Sequence, residues 1–425
     1  MKRNIYISAI FALISINSMA QKVRSCANEF CDSVAKTTNT QYQFRKMRYE
    51  QVLENQINIQ KNFRVASDII RIPVVVHVIH NQVNGLIAGS NISDEQIYSQ
   101  IKVLNEDYRK KEGTLGFNTN PVGADVEIEF FLASIDPSGN PSSGITRHYS
   151  SRSTYNIVND NDRMSLSNLG YWDSNKYLNI WVAAFSSGYI GYGEFPFAES
   201  IDGLDVDSDE RVDGVFIDYT VFGKKIGTNK SGIYSFGRTV THEIGHWMGL
   251  YHTWGDERCG TDYVADTPAA AAANSSAFCR DVFSTCSGTR TRNMIENYMD
   301  YSPDSCMNIF TQGQKERMRA ALDLSKRRKR VLNYAKFQLP PSTSLQVNVE
   351  NPLPRTNLQF QVLLPDFQDF NLIVRDIFGR KVYNETYLDL PSTIVTLKNK
   401  DLPPGVYIVS VTSKQQVVQK KLVLY

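Results

Sequence analysis

Hydrophobic residues along this 425-residue chain follow two different patterns, and each pattern marks a separate region. Between residues 72 and 323, short β-branched runs alternate with segments whose apolar residues recur every three to four positions. Such an alternation of strands and helices predicts a twisted mixed sheet with helices behind it. From residue 345 onward, short alternating strands are separated by turns, which predicts a small all-β sandwich. The predicted fold class is therefore α+β with a C-terminal β-sandwich.

Single elements can be placed from the same pattern. Ser93 and Gln96 have the spacing of a capping box, and the apolar residues that follow recur at helical spacing. Thr311 and Gln314 have the same spacing and predict a helix that ends near residue 323. The strands predicted in this region are residues 72–79, 126–133, 177–183 and 215–219.

The N-terminus has the pattern of an export signal. Lys2 and Arg3 precede a short apolar run, residues 5–16, and small residues then stand at Ser18 and Ala20. A membrane anchor is the alternative, but about a dozen apolar residues fall short of the ~20 that span a bilayer. The chain is therefore predicted to be exported, and no later segment is long and apolar enough to predict a transmembrane helix.

Composition divides the rest of the chain. Residues 21–63 are polar and charged, with an apparent helix from 41 to 59, and are predicted to form a pro-segment. The basic run Lys326-Arg327-Arg328-Lys329-Arg330 reads as an exposed, protease-sensitive connection, because a nucleic-acid signal does not suit an exported chain. The predicted domains are a signal peptide (1–20), a pro-segment (21–63), a catalytic domain (64–335), a Pro- and Ser-containing linker (336–344) and a C-terminal domain (345–425).

The overall charge is close to neutral, with 46 Lys and Arg against 44 Asp and Glu. This balance predicts neither a nucleic acid nor a membrane surface as a partner. In an oxidising compartment, four of the six cysteines suggest two disulfides with three alternative connectivities. A second structural zinc is the alternative, but no C-x-x-C pair supports it. These four cysteines are Cys259, Cys279, Cys286 and Cys306.

One motif, His242-Glu243-Ile244-Gly245-His246-Trp247-Met248-Gly249-Leu250-Tyr251-His252, carries chemistry. It reads H-E-x-x-H-x-x-G-x-x-H, the pattern of zinc proteases. On a helix, His242 and His246 face one Zn²⁺, and Gly249 lets the chain turn so that His252 becomes the third ligand. The open fourth position is typical of catalytic zinc, and Glu243 is placed to take a proton from water there. Surface histidines are the alternative, but average composition gives this match about once in 10⁵ chains of this length.

Over roughly residues 72–323 the chain resembles the pappalysin family of metzincin metalloproteases. The resemblance rests on the zinc motif, on 237–239 before it, on 264–268 after it, and on the Met-turn at 297–301. It implies a metzincin-type catalytic domain, with a twisted mixed sheet, a zinc helix and a Met-turn. Met299 would lie beneath the histidines as an apolar floor, and the Tyr301 hydroxyl would stabilise an oxyanion. Ordinary packing is the alternative for both side chains.

The resemblance also implies a specificity pocket, two disulfides and a calcium site. Asp304 would lie at the base of the S1′ pocket and favour cleavage before Arg or Lys; stabilisation of the turn after Pro303 is the alternative. An acidic loop stapled by disulfides does not require an ion, although its oxygen atoms suit calcium. The implied pairs are Cys259–Cys286 and Cys279–Cys306, and the implied calcium ligands are Asp262, Asp266 and Thr267.

Cys26 resembles the pro-segment cysteine whose thiolate occupies the open zinc position in latent family members. Ala27 stands where the family commonly has Gly, and a Cys26–Cys31 disulfide would abolish such a switch. Maturation would require cleavage between about residues 31 and 72, and Arg64 is a candidate if the enzyme processes itself.

The tail resembles the C-terminal sorting domain of type IX secretion. The resemblance lies in residues 377–380, 402–407 and 420–423. A carbohydrate-binding sandwich is the alternative, but the tail has no Trp and stands at the extreme C-terminus. The implied partner is the type IX secretion machinery.

These features predict a secreted zinc endopeptidase, made as a latent zymogen, that hydrolyses protein or peptide substrates. Two alternatives are a zinc hydrolase of a non-peptide amide and a catalytically silent adhesin on a protease fold. The intact ligands and Glu243 argue against the silent adhesin.

Overall fold

The computed structural model describes residues 26–63, 69–140, 142–186, 188–196, 209–335, 344–349, 351–352, 358–365, 368–390, 392–397 and 402–425. The predicted signal peptide, Arg64 and residues 336–343 of the predicted linker lie outside this set. The helices are α1 (Ala27–Thr38), α2 (Tyr42–Phe63), α3 (Asp94–Tyr108), α4 (Asp160–Leu169), α5 (Arg238–Trp247), α6 (Gln312–Leu324) and α7 (Lys326–Tyr334). The strands of the first sheet are β1 (Ile70–His80), β2 (Ile128–Leu132), β3 (Ile145–Tyr149), β4 (Leu178–Ala183), β5 (Gly191–Gly193) and β6 (Gly214–Asp218).

These six strands form a twisted mixed sheet in the order β2-β1-β4-β6-β5, and β3 pairs with the second half of β1. Every pairing is parallel except that of β5, which runs antiparallel to β6 at the edge. Helices cover the sheet, so β4 and β6 are buried at every position, as expected of parallel strands with both faces covered. The predicted α+β class is confirmed.

The two capping sites begin helices as predicted, but they differ in detail. Thr311 and Gln314 form the complete reciprocal box at the start of α6. The Ser93 hydroxyl accepts the Gln96 N–H at the start of α3, yet the Gln96 side-chain amide donates to the carbonyl of Phe222. Gln96 is fully buried, so its amide instead holds the segment that leads from β6 to the zinc motif.

The basic run is part of a helix rather than a connection, although three of its five side chains, Lys326, Lys329 and Arg330, are exposed as predicted. Residues 326–330 begin α7, and the Arg328 side chain is buried against the face of the Trp247 ring. Arg327 and Arg328 both donate to the carboxylate of Asp213, which also accepts the indole N–H of Trp247. The guanidinium groups therefore neutralise a buried acid beside the end of α5, a role that spacing in the sequence does not reveal.

Residues 26–63, termed here the N-terminal helical segment, lie against the catalytic core. Helix α2 packs on α6, where Tyr49 and Leu53 contact Ala320 and Ala321 in a small buried cluster. Helix α1 begins at the zinc motif, because Cys26 is its N-cap and is buried beside the histidines. The segment therefore contributes apolar contacts of its own, although the sequence predicted an arm outside the core.

The C-terminal region forms two antiparallel sheets around a separate apolar core, as the alternating pattern predicts. Among the described residues, no helix is long and apolar enough to cross a membrane. One sheet has the order β13-β10-β9 and the other β12-β11-β14-β15. The strands of these sheets are β9 (Gln346–Asn348), β10 (Gln359–Leu363), β11 (Gln368–Asp376), β12 (Lys381–Leu390), β13 (Thr393–Thr396), β14 (Gly405–Ser413) and β15 (Gln416–Leu424). Two short strands earlier in the chain, β7 (Phe283–Ser284) and β8 (Thr291–Arg292), form a separate antiparallel pair.

Candidate active site

Helix α5 carries the first two histidines of the motif and is fixed at both ends. Gly237 at its N-cap has φ 79° and Gly249 beyond its end has φ 86°, a left-handed conformation that glycine adopts at least cost. The Asp304 carboxylate accepts the backbone N–H groups of Phe236 and Arg238, both at 3.0 Å. A negative charge at a helix N-terminus is favourable, so Asp304 stabilises the start of α5.

The three histidine rings converge on one point. The Nε2 atoms of His242, His246 and His252 lie 3.1–3.2 Å from one another. Each Nδ1 is hydrogen-bonded elsewhere, to the carbonyls of Tyr298 and Leu250 and to the carboxylate of Asp256. Each Nδ1 is therefore the protonated nitrogen, and three bare Nε2 lone pairs face one another.

This geometry fits a bound cation. Tetrahedral zinc with Zn–N bonds of about 2.0–2.1 Å holds its nitrogens about 3.3 Å apart. Burial lowers the pKa of His246 to about 3, so this ring is neutral and its lone pair is available. Neutral imidazole is the form that binds metals, and the three residues fit a single Zn²⁺.

Glu243 and Cys26 lie beside the three histidines. The Cys26 thiol is 3.4 Å from Oε2 of Glu243, and its sulfur and the three His ligand atoms all lie within 4.8 Å of one another. Burial, together with the charge of Glu243, raises the pKa of Cys26 well above its usual value. A thiolate at this position therefore requires a positive partner such as a metal ion. Cys26 and Cys31 are both free thiols, so the alternative disulfide is not formed here.

Strand β5 passes directly over Glu243, and the sequence-based predictions did not include it. A Cβ on Gly191 would lie 2.3 Å from the Glu243 carboxylate, and one on Gly193 would lie 2.2 Å from the Glu243 carbonyl oxygen. Both positions thus exclude any side chain. The Gly-Tyr-Gly spacing was the available signal, since glycine in a strand often marks a close approach.

The N-terminal helical segment pairs with this strand. The side-chain carboxamide of Asn28 donates to the carbonyl of Gly193 at 2.6 Å and accepts its N–H at 3.0 Å. Cys26 also forms a parallel bridge with Gly191. The Asn28 amide therefore makes the two hydrogen bonds that a peptide group of a neighbouring strand would make.

Met299 and Tyr301 both contact the zinc motif. Met299 is buried beneath α5, and a Cβ on Gly245 would lie 2.5 Å from its sulfur, so the glycine of the motif makes room for it. The Tyr301 ring packs against His252 at 5.0 Å, and its hydroxyl accepts the backbone N–H of Cys26 at 3.3 Å. The Tyr301 hydroxyl therefore lies beside Cys26, next to the histidine cluster.

The loop after the zinc motif contains the two implied disulfides, Cys259–Cys286 and Cys279–Cys306. The Asp262 carboxylate accepts the Thr267 hydroxyl at 2.6 Å, and Oδ2 of Asp266 accepts the N–H of Gly313. Oδ1 of Asp266 is buried and has no hydrogen-bond partner among the described residues. Of the three predicted calcium ligands, Asp262 and Thr267 contact each other, whereas Asp266 contacts the start of α6.

The helix with two histidines, the third histidine after a turn, the Met-turn beneath and the glycine edge strand define a metzincin-type metalloprotease. The family described as pregnancy-associated plasma protein-A (peptidase M43) matches residues 160–323. An extracellular metalloprotease of Verticillium alfalfae is 31% identical over 256 residues, which are 60% of this chain and 78% of that protein. The chain belongs to the pappalysin family and is a metalloendopeptidase.

Solved structures agree with this assignment. A promirolysin mutant of Tannerella forsythia is similar at a TM-score of 0.62 and 37% identity, covering 75% of this chain and 100% of that one. Mature mirolysin in complex with a cleaved peptide is similar at 0.56 and 40% identity, covering 65% and 100%. The secretion system C-terminal sorting domain matches residues 351–425. The protein is therefore secreted or held at the cell surface.

Proposed function

We propose that this protein is a zinc-dependent endopeptidase in which His242, His246 and His252 hold the metal. The observation that carries the proposal is the convergence of the Nε2 atoms of three histidines beside a buried carboxylate. Zinc at this point supplies a Lewis acid that polarises a scissile carbonyl and makes water a better nucleophile. Glu243 takes the proton of the attacking water and then donates it to the leaving amine nitrogen.

Two further groups act on the substrate. The Tyr301 hydroxyl lies beside Cys26, next to the histidine cluster. Once Cys26 has left, this hydroxyl donates a hydrogen bond to the oxyanion. The N–H and carbonyl of Gly193, on an edge strand, pair with the main chain of the substrate. Strand addition fixes the peptide along the cleft and requires no particular side chain.

The N-terminal helical segment keeps this site closed. The Cys26 sulfur stands within ligand distance of the histidine cluster, where a thiolate would displace the catalytic water. Asn28 occupies both hydrogen-bonding groups of Gly193, so the segment blocks the strand as well as the metal. In this proposal the segment keeps the enzyme latent in two ways: Cys26 takes the open metal position, and Asn28 takes the hydrogen-bonding groups that would bind substrate.

A buried ion pair anchors the same segment on its far side. The Arg317 guanidinium of α6 donates to both carboxylate oxygens of Glu50 in α2, at 2.6 and 2.8 Å. Arg317 also donates to the carbonyl of Gly249, and Glu50 accepts the Tyr251 hydroxyl. Helix α2 is therefore joined to the zinc motif, directly through Tyr251 and by way of Arg317 to Gly249.

Three finer assignments complete the proposal. Cleavage before Arg or Lys is assigned to Asp304, whose buried carboxylate lies at the start of α5. Calcium is assigned to the loop of Asp262, Asp266 and Thr267, because Oδ1 of Asp266 is a buried acceptor. The β-sandwich is assigned to recognition by the type IX secretion machinery.

The decisive variant is Glu243→Gln, which keeps the size of the side chain and removes the base. We expect it to bind one equivalent of zinc and to lose nearly all peptide hydrolysis. Glu257→Gln, an exposed change in the neighbouring loop, is the matched control and should retain activity. Sequencing the cut sites of a peptide library then tests for Arg or Lys after the scissile bond. Hydrolysis by Glu243→Gln at the parent rate would contradict the mechanism.

A further inference from the structure

The three histidines are not held in the same way. His242 and His246 lie on α5, and the Nδ1 atom of each donates to a backbone carbonyl, at 2.7 and 2.8 Å. His252 lies beyond the helix, in the turn after Gly249, so no helix backbone fixes its Cα. Its orientation has to come from contacts of the ring.

Side chains surround the His252 ring. The Trp254 ring stacks on it at 4.4 Å with an interplanar angle of 4°, and Tyr301 meets it edge-on at 5.0 Å. Its Nδ1 contacts the carboxylate of Asp256 directly. Stacking fixes the plane of the ring but tolerates a half-turn flip about the Cβ–Cγ bond, so the contact with Asp256 selects the orientation in which Nε2 faces the other two histidines.

The backbone between His252 and Asp256 forms a turn that brings the Asp256 carboxylate against the His252 ring. The N–H of Gly255 donates to the carbonyl of His252 at 2.9 Å, which closes a tight turn. Gly255 and Asp256 both have positive φ, 68° and 59°, and an Asp in this region is unfavourable unless its surroundings hold it there. A side chain at Gly255 would lie 2.4 Å from the backbone nitrogen of Thr261. The backbone of this loop is therefore strained at Asp256, and the strained conformation places the Asp256 carboxylate against the ring.

Among the described residues, His252 is the hydrogen-bond partner of the buried Asp256 carboxylate, and the Glu29 carboxylate lies within 4.8 Å of both groups. Its carboxylate is almost wholly removed from solvent, and burial of a charge requires compensation. Burial raises the pKa of Asp256, but His252 and, at longer range, Lys46 of the N-terminal helical segment hold that pKa below its usual value. Lys46 itself lies 3.5 Å from Asp32. The direct contact of Asp256 is thus with His252.

We propose that Asp256 is a positioning residue for the metal: it holds His252 in the Nδ1-protonated form, with Nε2 directed at the other two histidines, and its negative charge strengthens the metal–nitrogen bond. A ligating histidine that donates to a carboxylate is a stronger ligand than one that donates to a carbonyl. The Nδ1 atoms of His242 and His246 contact backbone carbonyls, whereas that of His252 contacts a carboxylate. This inference rests on the zinc site of the proposed function.

The test is zinc affinity in the full-length chain carrying Glu243→Gln, which prevents self-processing. The metal-free protein is titrated with zinc against a chromophoric chelator, for the parent, Asp256→Asn, Asp256→Ala and the control Glu257→Gln. We expect about tenfold weaker binding for Asp256→Asn, up to about 100-fold for Asp256→Ala, and no change for the control. Absorption of the cobalt-substituted protein should change in the two Asp256 variants, since the ring leaves its position.

Asp256→Asn distinguishes positioning from packing, because asparagine keeps the size and one acceptor oxygen but lacks the charge. Parent affinity in Asp256→Asn, with an unchanged cobalt spectrum, would overturn the inference while leaving the zinc site intact. If the parent binds no zinc in a one-to-one complex, the proposed function itself is wrong, and this outcome differs from the failure of the Asp256 inference alone. Near-ultraviolet circular dichroism of the metal-free proteins establishes that each variant is folded.

Discussion

The buried pair between Glu50 and Arg317 gives a quantitative prediction about activation. We consider Glu50→Gln, which removes the charge from α2 and keeps the shape of the side chain. Both partners are nearly inaccessible to solvent, and the Arg317 guanidinium would lose its only ionised acceptor among the contacts described above. The docked state of the segment should therefore be destabilised relative to the undocked state, in which water solvates Arg317.

The magnitude follows from the geometry. Removing one partner of a buried ion pair costs about 3–5 kcal/mol, and we take about 2 kcal/mol here because glutamine still accepts one hydrogen bond. Every 1.4 kcal/mol changes a population tenfold, so the undocked fraction should rise about 30-fold. When cleavage is slower than redocking, its rate follows that fraction. Self-activation of Glu50→Gln should thus be about 30-fold faster than that of the parent.

The assay is a time course of full-length zymogen after zinc is restored, followed by loss of intact chain and by hydrolysis of a peptide. Glu54→Gln is the matched control, since Glu54 lies on the exposed side of the same helix. Glu50 leaves with the segment, so all variants should reach the same final specific activity. The reasoning is refuted if Glu50→Gln matures at the parent rate, or if Glu54→Gln matures equally fast.

Two other variants test the site and the core. Tyr301→Phe should lower kcat on the order of 100-fold with little change in KM, because the hydroxyl acts on the oxyanion; steady-state kinetics with an unaltered kcat would exclude that role. Burial lowers the pKa of His77 to about 3, against about 6.5 unfolded, so its contribution to stability is complete above pH 6.5 and falls as the pH drops. At pH 5 the loss is about 2 kcal/mol. The thermal midpoint of His77→Gln should therefore fall less between pH 7 and pH 5 than that of the parent, and an equal fall would contradict the assignment.

Much of the fold was predictable because its signals are local. The strand at 70–80 is rich in Val and Ile, and the helices that follow Ser93 and Thr311 begin at hydroxyl side chains that cap them. Boundaries shifted by a few residues, as is usual for element ends. Strand β5 was missed because three residues give too little periodicity to recognise.

The zinc motif alone determined that three histidines and a glutamate come together, since helical spacing and one glycine turn suffice to place them. Only the tertiary structure decided what surrounds them. Gly193 lies over Glu243, Asn28 pairs with that glycine, and Glu50 meets Arg317 across 267 positions of the chain. No periodicity links residues so far apart, because such contacts depend on how the sheet and helices pack. The sequence therefore indicated the chemistry of the proposed site, and packing placed Cys26 and Asn28 beside it and Asp256 against His252.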